Sequence, residues 1–539
     1  MGKVIYTIDA ETDPFDGTAN IKPFIWDIFD GKKHFTMESV KDCHHFIERH
    51  PGAYFAHNGG KFDYMLDEFT RPIESGAEVL VINGRLAKFS MLGSEFRDSF
   101  CILPSPLAEI GGKLDIDYAK LHRDVRKNHM PEIIAYLHGD TEALHAAVTR
   151  FRADYGPGIT LAGCAIKQLQ KIMKIETMPR LYESDDRKIR GDKTTGGFYY
   201  GGRVEAFYKG IIKEPFTVYD IVSAYPAAML ETHGWGERMH SDVPDKSEAV
   251  CKQAFYHVIA DSRGAFPVRN REGIHFPHIK GGEFRVTGWE LETALRCKAA
   301  KLIKVVERIR FLQTTSFEPY ITHFFAMKAA AAKKSPERLH AKLFLNSAYG
   351  KMGCDPRGYS TYIVCDPGDD VESYRECGYE QNGWLGGRPL MAAPLLKDEW
   401  RFIHVGAAAS VTGFVRARLM EQIFKLQKKG GKVLYCDTDS IAVAGATMKT
   451  GEKIGEWSLD AECVEGAIAG KKMYAFKRRA GTFDASESPW KLSSKGVRFD
   501  AGQIYKVAAG EQVEFSPLAP SFGIRNAGPK ILKRTIKRT

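Results

Sequence analysis

The chain has 539 residues, with 77 Lys and Arg against 67 Asp and Glu, so its formal net charge is +10 at pH 7. This length predicts about three or four domains. A hydrophobic content of 44% provides for several cores and excludes wholesale disorder. No run of about 18 uninterrupted apolar residues occurs, so we predict no transmembrane helix and no membrane partner.

The ten cysteines are scattered and include no Cys-x-x-Cys pair. This spacing argues against a zinc ribbon and against a disulfide scaffold, and it favours a reducing compartment. The N-terminal residues lack the apolar stretch of a secretory signal and lead directly into a strand at Val4–Ile8. We therefore expect a cytoplasmic protein.

The first part of the chain predicts an α/β domain, which is followed by a connection near residues 155–195. Strands are predicted at Ala53–Ala56 and Glu78–Ile82, and a helix is predicted at Glu132–Phe151. Beyond the connection, Phe216–Ile221 is apolar enough to form a buried strand.

The second half predicts a different set of elements. Ser316–Tyr349 reads as a long helical region that breaks near Ser335 and Pro336. Residues 354–396 are rich in Gly, Asp, Pro and aromatics, which predicts an inserted subdomain of short strands. Lys432–Val443 predicts a hairpin with an acidic turn.

A first group of acidic residues predicts a nuclease site. Asp9 and Glu11 lie two apart on the first strand, so both carboxylates point to one face. Asp63 ends a glycine-containing segment after a second strand, and Tyr136 and Asp140 share one face of the predicted helix. Hard divalent cations prefer oxygen ligands, and two of them about 4 Å apart can hold the attacking and leaving oxygens of a phosphodiester. Each motif alone would indicate an ordinary strand, turn or helix surface.

A second group predicts nucleotidyl transfer. Asp220 ends an apolar strand, and Tyr225 follows across a turn, where it would form a flat wall beside a metal ligand. Asp437 and Asp439 lie two apart at the predicted hairpin turn, so both can face one metal pair with Asp220. Acids between two apolar strands are costly unless cations neutralise them. This cost favours a functional site over an exposed hairpin tip.

Three residues of the later helix complete the second group. Lys342, Asn346 and Tyr349 have i, i+4, i+7 spacing and share one face. A cation, an amide and a phenol in a row suit a triphosphate, a base pair and a sugar. On its own the pattern would indicate a solvated polar stripe, and its position between the two acidic motifs gives it weight.

These segments resemble motif A (Dx2SxYP), motif B (Kx3NSxYG) and motif C (YxDTDS) of family B DNA polymerases, in the family's order. The earlier acids resemble the Exo I, Exo II and Exo III motifs of 3′–5′ proofreading exonucleases. The long intervals between motifs A, B and C resemble the terminal-protein regions of the protein-primed subgroup of phages and linear plasmids, closest to the tectivirus type. The resemblance implies an α/β and α+β multidomain fold, with a ribonuclease-H-like exonuclease domain followed by a right-hand palm, fingers and thumb with two insertions.

The resemblance also implies roles for individual residues. The implied catalytic and metal-binding residues are Asp220 and Asp439 as principal ligands, Asp437 in support, Asp9, Glu11, Asp63 and Asp140 in the exonuclease, Tyr136 to orient water, and Lys113 to assist phosphate chemistry. The implied nucleotide contacts are Tyr225, which would reject a 2′-hydroxyl, Lys342 and Lys328 at the triphosphate, and Asn346 and Tyr349 at the nascent pair. The implied DNA contacts are Asn58, Phe62, Ser99, Phe100, Tyr199, Gly201, Gly202, Lys472, Tyr474 and Lys495. His138 is interpreted as a surface residue.

The motif positions divide the chain into domains. The division is 1–155 exonuclease, 156–195 connection, 196–261 palm, 262–315 first insertion, 316–353 fingers, 354–396 second insertion, 397–503 palm and 504–539 thumb. We expect the second insertion to be a β-rich lobe beside the fingers that supports processivity and strand separation.

The implied function is a DNA-dependent DNA polymerase that is protein-primed, proofreads, displaces strands and replicates a linear phage or plasmid genome. Its partners would be primer-template DNA, single-stranded 3′ ends, dNTPs and a terminal protein, and it would act as a monomer in a bacterial host cytoplasm. Each active site would hold two Mg²⁺ ions, for which Mn²⁺ could substitute. Two alternatives stay open: a polymerase of this fold primed only by nucleic acid, and a nuclease or DNA-binding factor with an inactive polymerase domain.

Overall fold

The computed structural model describes residues 3–538 except 67, 112–114, 192–195, 246, 334, 356–357, 367, 396–402, 485 and 526–527. Lys113 therefore lies outside the described residues. Within the described part of the chain, every helix is too short or too polar to cross a bilayer. The ten cysteines are all described, and all are free thiols.

A mixed sheet and one long helix form the first domain. The strands are β1 (Ile5–Thr12), β2 (Pro23–Phe29), β3 (His34–Met37), β4 (Ala53–Ala56), β5 (Glu78–Ile82), β6 (Arg85–Met91) and β7 (Ser94–Asp98), and the helices are α1 (Val40–Arg49), α2 (Leu107–Ile110) and α3 (Met130–Tyr155). Their order in the sheet is β5-β6-β7-β4-β1-β2-β3, with β4 parallel to both β1 and β7. Every residue of β4 is buried, as a central strand with two covered faces requires. The predicted strands and helix of this domain are confirmed.

The connection holds two helices and leads into the palm. Its helices are α4 (Leu161–Met173) and α5 (Glu183–Arg190), and the palm begins with β8 (Val204–Ala206), β9 (Gly210–Ile212), β10 (Phe216–Ile221) and α6 (Ala224–Met229). Thr160 begins α4 because its side chain accepts a hydrogen bond from the Gly163 amide. The buried strand predicted at Phe216–Ile221 is confirmed.

A four-stranded sheet follows the first palm segment. Its elements are β11 (His233–Asp242), β12 (Phe255–Arg263), the hairpin β13 (Val268–Asn270) and β14 (Gly273–His275), β15 (His278–Thr287), α7 (Gly288–Arg296) and β16 (Ala300–Thr315). The strand order is β11-β16-β12-β15. Because β12 pairs with both β15 and β16, the boundary predicted at 262 falls inside this sheet.

Two helices, α8 (Glu318–Ala330) and α9 (Pro336–Met352), lie in the segment predicted to be the fingers. The break predicted near Ser335 is confirmed. The Ser335 hydroxyl accepts from the Arg338 amide, and Pro336 occupies the first helical position, where its missing N–H costs nothing.

The second insertion extends the exonuclease sheet. Its elements are β17 (Ser360–Val364), α10 (Val371–Glu376), β18 (Glu380–Leu385) and β19 (Arg388–Pro394). Short strands were expected here and are present, but they do not form a separate lobe. Tyr362 and Ile363 of β17 pair with β5, which makes a ten-stranded sheet in the order β18-β19-β17-β5-β6-β7-β4-β1-β2-β3. Val364, Leu385 and Leu390 pack into the exonuclease core. Burial of these side chains favours this placement over a lobe surrounded by solvent.

The rest of the palm completes an eight-stranded sheet. Its elements are α11 (Val405–Lys428), β20 (Lys432–Asp437), β21 (Ser440–Ala444), β22 (Trp457–Gly470), β23 (Met473–Arg478) and β24 (Trp490–Ser494). The strand order is β24-β23-β22-β10-β21-β20-β8, with β9 also paired to β22. The hairpin predicted at Lys432–Val443 is confirmed by β20 and β21.

The C-terminal part links the polymerase half to the exonuclease domain. It contains α12 (Ala501–Ala509), β25 (Val513–Phe515) and β26 (Arg534–Ile536). Between the two strands, the Leu518 carbonyl accepts from the Gly17 amide at 3.0 Å. Phe522 contacts Phe62 edge to face at 5.5 Å between ring centroids, and Ile524 is buried in the exonuclease core.

We expect Arg388 to hold the second insertion on the exonuclease sheet. Its buried guanidinium donates to the carbonyls of Ile73 at 2.8 Å and Thr70 at 2.7 Å. Arg388→Met leaves the Ile73 carbonyl unpaired and leaves the Thr70 carbonyl with only the Ile73 amide at 3.2 Å. This loss should cost about 1 to 3 kcal/mol and make the insertion more sensitive to limited proteolysis. Arg375→Met, which removes an exposed pair with Glu372 in the same insertion, is the control and should change stability by less than about 0.5 kcal/mol. Equal proteolysis of the two variants would contradict this role.

Candidate active sites

Three aspartates meet at one end of the palm sheet. Asp220 on β10 pairs with Ser440 at the start of β21, and Asp437 at the end of β20 pairs with the same residue from the other side. Adjacent strands lie about 4.8 Å apart, so the two carboxylates flank β21. Asp439 lies in the turn between β20 and β21. The structure therefore brings together the three predicted polymerase carboxylates.

The turn that carries Asp439 is strained and held in place. Thr438 has φ of +61°, a left-handed conformation that β-branched residues rarely adopt. Its amide donates to the Arg203 carbonyl at 2.7 Å, and its hydroxyl donates to Asp437 Oδ1 at 3.1 Å. The Asp439 carbonyl accepts from the Ile221 amide at 2.9 Å. These bonds fix the turn in a conformation that it would not favour alone.

The palm carboxylates resist ionisation. Burial, followed by the charges of Asp439 and Asp460, raises the pKa of Asp220 to about 7. Burial, followed by the charges of Asp437 and Asp460, raises the pKa of Asp439 to about 6. Such shifts are typical of clustered acids at functional sites. Asp460 was missed by the sequence analysis, because it is a single acid in the long strand β22 and belongs to no local motif. Lys491 lies 2.6 Å from its Oδ2.

Lys472 supplies a counter-charge to Asp437. Its ammonium donates to both oxygens of Asp437, at 2.7 and 2.9 Å. The Lys472 carbonyl accepts from the Lys495 amide at 3.0 Å, and Tyr474 stacks on Phe476 at 4.3 Å. The predicted DNA contacts Lys472, Tyr474 and Lys495 therefore lie on neighbouring segments, and the Tyr474 ring lies 5.1 Å from that of Tyr435 in motif C.

The predicted nucleotide-binding residues lie on α6, α8 and α9. The Tyr225 and Tyr349 rings stack with centroids 4.0 Å apart. Lys342 and Asn346 are exposed on the same helix as Tyr349. Burial lowers the pKa of Lys328, and the charges of Arg338 and Lys342 lower it further. These three cations therefore lie close together. Arg338, which donates to the Lys328 carbonyl at 2.6 Å, was missed because it lies outside motif B.

The segment of Tyr200, Gly201 and Gly202 joins the exonuclease and polymerase halves of the chain. It packs on motif C and on a buried ion pair. A Cβ at Gly202 would lie 2.6 Å from Thr438 Oγ1, so only glycine allows this approach. Arg416 on α11 donates to the carbonyls of Tyr200 at 2.6 Å and Gly201 at 2.9 Å, and to both oxygens of Glu290. This buried pair was also missed. Its members are far apart in sequence, and neither adjoins a recognised motif.

The predicted template contacts differ in exposure. Gly201 is exposed, while Tyr199 is half-buried with its hydroxyl against Gly353. The Tyr199 carbonyl accepts from Arg269 of the β13–β14 hairpin at 3.3 Å. The first insertion therefore contacts the segment predicted to meet the template.

Three of the predicted exonuclease carboxylates, Asp9, Glu11 and Asp140, line a cavity of about 1060 Å³. Asp9 and Glu11 lie on β1, and Asp140 projects from α3, which is bonded to the same strand by the Thr7 hydroxyl and the Thr141 carbonyl at 2.7 Å. Residues 514–519 line the same cavity. The C-terminal segment therefore forms a wall of this site.

The four predicted exonuclease acids also resist ionisation. Burial is the largest cause for each of the four acids. Burial, followed by the charges of Asp140 and Asp63, raises the pKa of Glu11 to about 8. Asp63 is raised to about 7 and Asp140 to about 6, and the pKa of Asp9 is well above its usual range. Asp63 Oδ1 is buried and has no hydrogen-bond partner among the described residues. An unpaired buried oxygen beside mutually repelling carboxylates fits a site for divalent cations.

Two tyrosines cover the acids. Tyr136 bonds to Asp140, and burial together with that acid raises its pKa. Tyr118, which is exposed, bonds in turn to Tyr136, and burial and then Glu11 raise its pKa. Tyr118 was not assigned a role from the sequence, although it follows the segment of Lys113 closely.

The structure gives Ser99 and His138 surroundings that differ from those expected. Ser99 is fully buried, and its hydroxyl donates to the Ala56 carbonyl and contacts His57 Nδ1, each at 3.0 Å. It is placed to orient His57 and not to touch DNA directly. His138 is not a plain surface residue, because its ring stacks on His34 at 3.8 Å and lies 3.4 Å from the buried Asp27.

The group of Asp27, His34 and His138 has the residue types of a metal site. Its two imidazole planes are 10° from parallel and stacked. A metal ion lies near the plane of each imidazole that binds it, so one ion cannot satisfy both rings in this arrangement. Asp27 instead accepts from His34 at 2.8 Å and from the Thr141 hydroxyl at 2.8 Å. We interpret the group as a hydrogen-bonded support for α3.

Comparison with known proteins identifies the family. The family described as DNA polymerase type B, organellar and viral, matches residues 113–382. The DNA-directed DNA polymerase of Enterobacteria phage PRD1 is 32% identical over 100% of this chain and 99% of its own length. The DNA polymerase of Bacillus phage phi29 is 23% identical over 70% of this chain and 66% of its own length.

Solved structures agree on the fold. Phi29 DNA polymerase complexed with primer-template DNA and incoming nucleotide substrates superposes with a TM-score of 0.75 at 17% identity, over 100% of both chains. The same polymerase complexed with single-stranded DNA gives a TM-score of 0.73 at 16% identity. This chain therefore belongs to the organellar and viral type B DNA polymerases and is a DNA-directed DNA polymerase of the protein-primed phage type.

Proposed function

We propose that this polymerase extends a primer on a DNA template at its palm site and removes mispaired 3′ ends at its exonuclease site. The supporting observation is the presence of two separate carboxylate clusters, each with raised pKa values. Primer-template DNA, single-stranded 3′ ends and dNTPs are the proposed substrates. The proposed cofactor is Mg²⁺, two ions per site, with Mn²⁺ able to substitute.

At the palm, Asp220 and Asp439 would hold the two ions, with Asp437 in support. When bound, the ions would activate the primer hydroxyl and stabilise the leaving pyrophosphate. Lys472 holds Asp437 in place and lies beside the proposed path of the primer end. The mutual stacking of Tyr225 and Tyr349 makes a rigid wall, and this wall would leave no room for a 2′-hydroxyl.

The fingers would meet the triphosphate with three cations. Lys328 and Lys342 were predicted for this role, and Arg338 lies between them in sequence and near both in space. Clustered cations favour binding of a polyanion and raise its association rate. Asn346, exposed on the same helix, would contact the nascent base pair.

In the exonuclease, the four acids would hold the same cofactor. Tyr136 is hydrogen-bonded to Asp140 and would orient the attacking water. Tyr118 bonds to Tyr136 and would restrict its movement. Lys113, outside the described residues, keeps its proposed role in phosphate chemistry. Phe62 faces the same cavity, where its ring would contact a base of the single strand.

We further propose that a terminal protein supplies the primer and that the replicated DNA is a linear phage or plasmid genome in a bacterial cytoplasm. The two insertions support this proposal. The first insertion contacts the segment of Tyr199, which is predicted to meet the template, and the second insertion extends the exonuclease sheet. The second insertion is also the proposed element for strand displacement, and the enzyme is proposed to act as a monomer. An inactive polymerase domain is disfavoured, since all three palm aspartates are present and converge.

Asp439→Asn should lower dNTP incorporation on a primed template by more than about 100-fold, because it replaces a charged carboxylate by a neutral amide with a single oxygen at the proposed metal pair. Degradation of single-stranded DNA should persist, since the acids of that cavity are untouched. Incorporation of labelled dNTP and release of labelled mononucleotide measure the two activities. Asp245→Asn, which changes an exposed acid between β11 and β12, is the control and should leave both activities unchanged. Incorporation at the wild-type rate by Asp439→Asn would show that this turn is not the active site.

Asp9→Asn combined with Glu11→Gln should abolish degradation of single-stranded 3′ ends while polymerisation continues. The same variant should melt at a higher temperature at pH 8. Both acids have pKa values raised in the folded protein, so their ionisation opposes folding as the pH rises. At pH 5 the wild-type acids are largely protonated, and the gain should shrink. Undiminished degradation by the variant would contradict the assignment.

Incubation of the enzyme with its terminal protein, template DNA, Mg²⁺ and one labelled dNTP should attach label covalently to the terminal protein. Asp439→Asn should prevent this labelling. Extension of an ordinary DNA primer should need no terminal protein. If primer extension is active and no protein is labelled, the polymerase is primed only by nucleic acid.

A further inference from the structure

Arg85 connects the residues implied to hold single-stranded DNA. It begins β6, and its side chain is 13% exposed. Its guanidinium donates to Asn58 Oδ1 at 2.8 Å and forms an ion pair with Asp98. The same group lies over the Phe100 ring, 4.7 Å from its centroid. One side chain therefore contacts both Asn58 and Phe100.

Asp98 makes this arrangement rigid. It is buried, and its carboxylate accepts from the Gly60 amide at 3.1 Å and from the Phe100 amide at 2.9 Å. These bonds fix the turn after β4 and the turn after β7 to one carboxylate. A buried carboxylate requires a cation or several donors, and Arg85 is its cation here.

The turn that presents Asn58 depends on close packing. Asn58 has φ of +65°, in the left-handed region. A Cβ at Gly60 would lie 2.0 Å from the Leu86 carbonyl oxygen, so the turn passes directly over the strand that starts at Arg85. The hydrogen bond from Arg85 therefore sets the direction of the Asn58 amide in a backbone conformation that few residues share.

We propose that Arg85 is a positioning residue of the exonuclease, which orients Asn58 and Phe100 as one surface for the nucleotides next to the scissile 3′ nucleotide. This inference rests on the proposed proofreading function. Asn58 offers an amide and Phe100 an aromatic face, and these groups suit the hydrogen-bonding and stacking edges of an unpaired strand. Arg85 acts through binding of the strand and not on the reacting phosphate, so its loss raises KM and leaves the chemistry of a single nucleotide intact.

Two substrates separate these effects in the full-length enzyme with Mg²⁺. A single-stranded oligonucleotide uses the whole surface, whereas thymidine 5′-(p-nitrophenyl phosphate) offers one nucleotide and no neighbour. Arg85→Gln should raise the oligonucleotide KM about tenfold, as expected from the loss of one or two charge-assisted contacts. Its kcat/KM for the nitrophenyl ester should stay within about twofold of wild type.

Two further variants sharpen the test. Arg85→Lys keeps the charge beside Asp98, but a point charge cannot reproduce the planar fork that reaches Asn58 as well, so KM should rise about threefold. Lys88→Gln removes a cation from the same strand, where it pairs with Glu95 at 2.9 Å, and should leave the oligonucleotide KM unchanged. If Arg85→Gln fails to fold, as judged by loss of polymerisation, Arg85→Lys decides.

The possible outcomes distinguish the hypotheses. An oligonucleotide KM that is unchanged in both Arg85 variants overturns the inference. An equal loss on both substrates also overturns it, because Arg85 would then support only the fold of the metal-binding cavity. If the wild-type enzyme degrades neither substrate while it polymerises, the proposed proofreading function fails.

Discussion

Both sites of this polymerase gather carboxylates that repel one another, and the rest of the structure holds them together against that repulsion. In the palm, burial and neighbouring acids raise the pKa values of Asp220 and Asp439, and in the exonuclease they raise the pKa of Glu11 to about 8. Each raised pKa means that ionisation of the group opposes folding. The scaffold must therefore be stable enough to hold these acids in their charged form.

The scaffold achieves this in different ways at the two sites. In the palm, the three acids are fixed by strand register, by a strained turn at Thr438 and by the ion pair from Lys472 to Asp437. In the exonuclease, Asp9 and Glu11 are fixed by β1, and Asp140 is fixed by α3, whose hydrogen bonds to Thr7 and Asp27 hold it against the sheet. A register shift in the palm would therefore be more damaging than a small shift of α3, because a slip of one residue turns a carboxylate to the opposite face.

The sequence allowed prediction of the acids and of the elements that carry them. Period-two spacing of Asp9 and Glu11, and the short acidic turn at Asp437 and Asp439, are local patterns with direct structural consequences. Residues that act across long separations carried no such signal. Arg416, Glu290 and Asp460 became identifiable only when strands and helices distant in sequence came into contact. The burial of Ser99 was missed for the same reason, since a motif gives the order of residues but not the depth at which each one lies.

The second insertion shows the same limit at the level of a whole subdomain. Its glycines, prolines and aromatics predicted short strands, and the strands are there. Its position depended on an unpaired edge of β5, which cannot be recognised from the insertion's own sequence. β17 pairs with that edge, and Ile524 of the C-terminal segment lies in the same core. The core of the exonuclease domain therefore contains side chains from three distant parts of the chain. Residues 514–519, which line the exonuclease cavity, follow the palm and α12 in the sequence. The geometry of the exonuclease site therefore includes residues from the polymerase half of the chain.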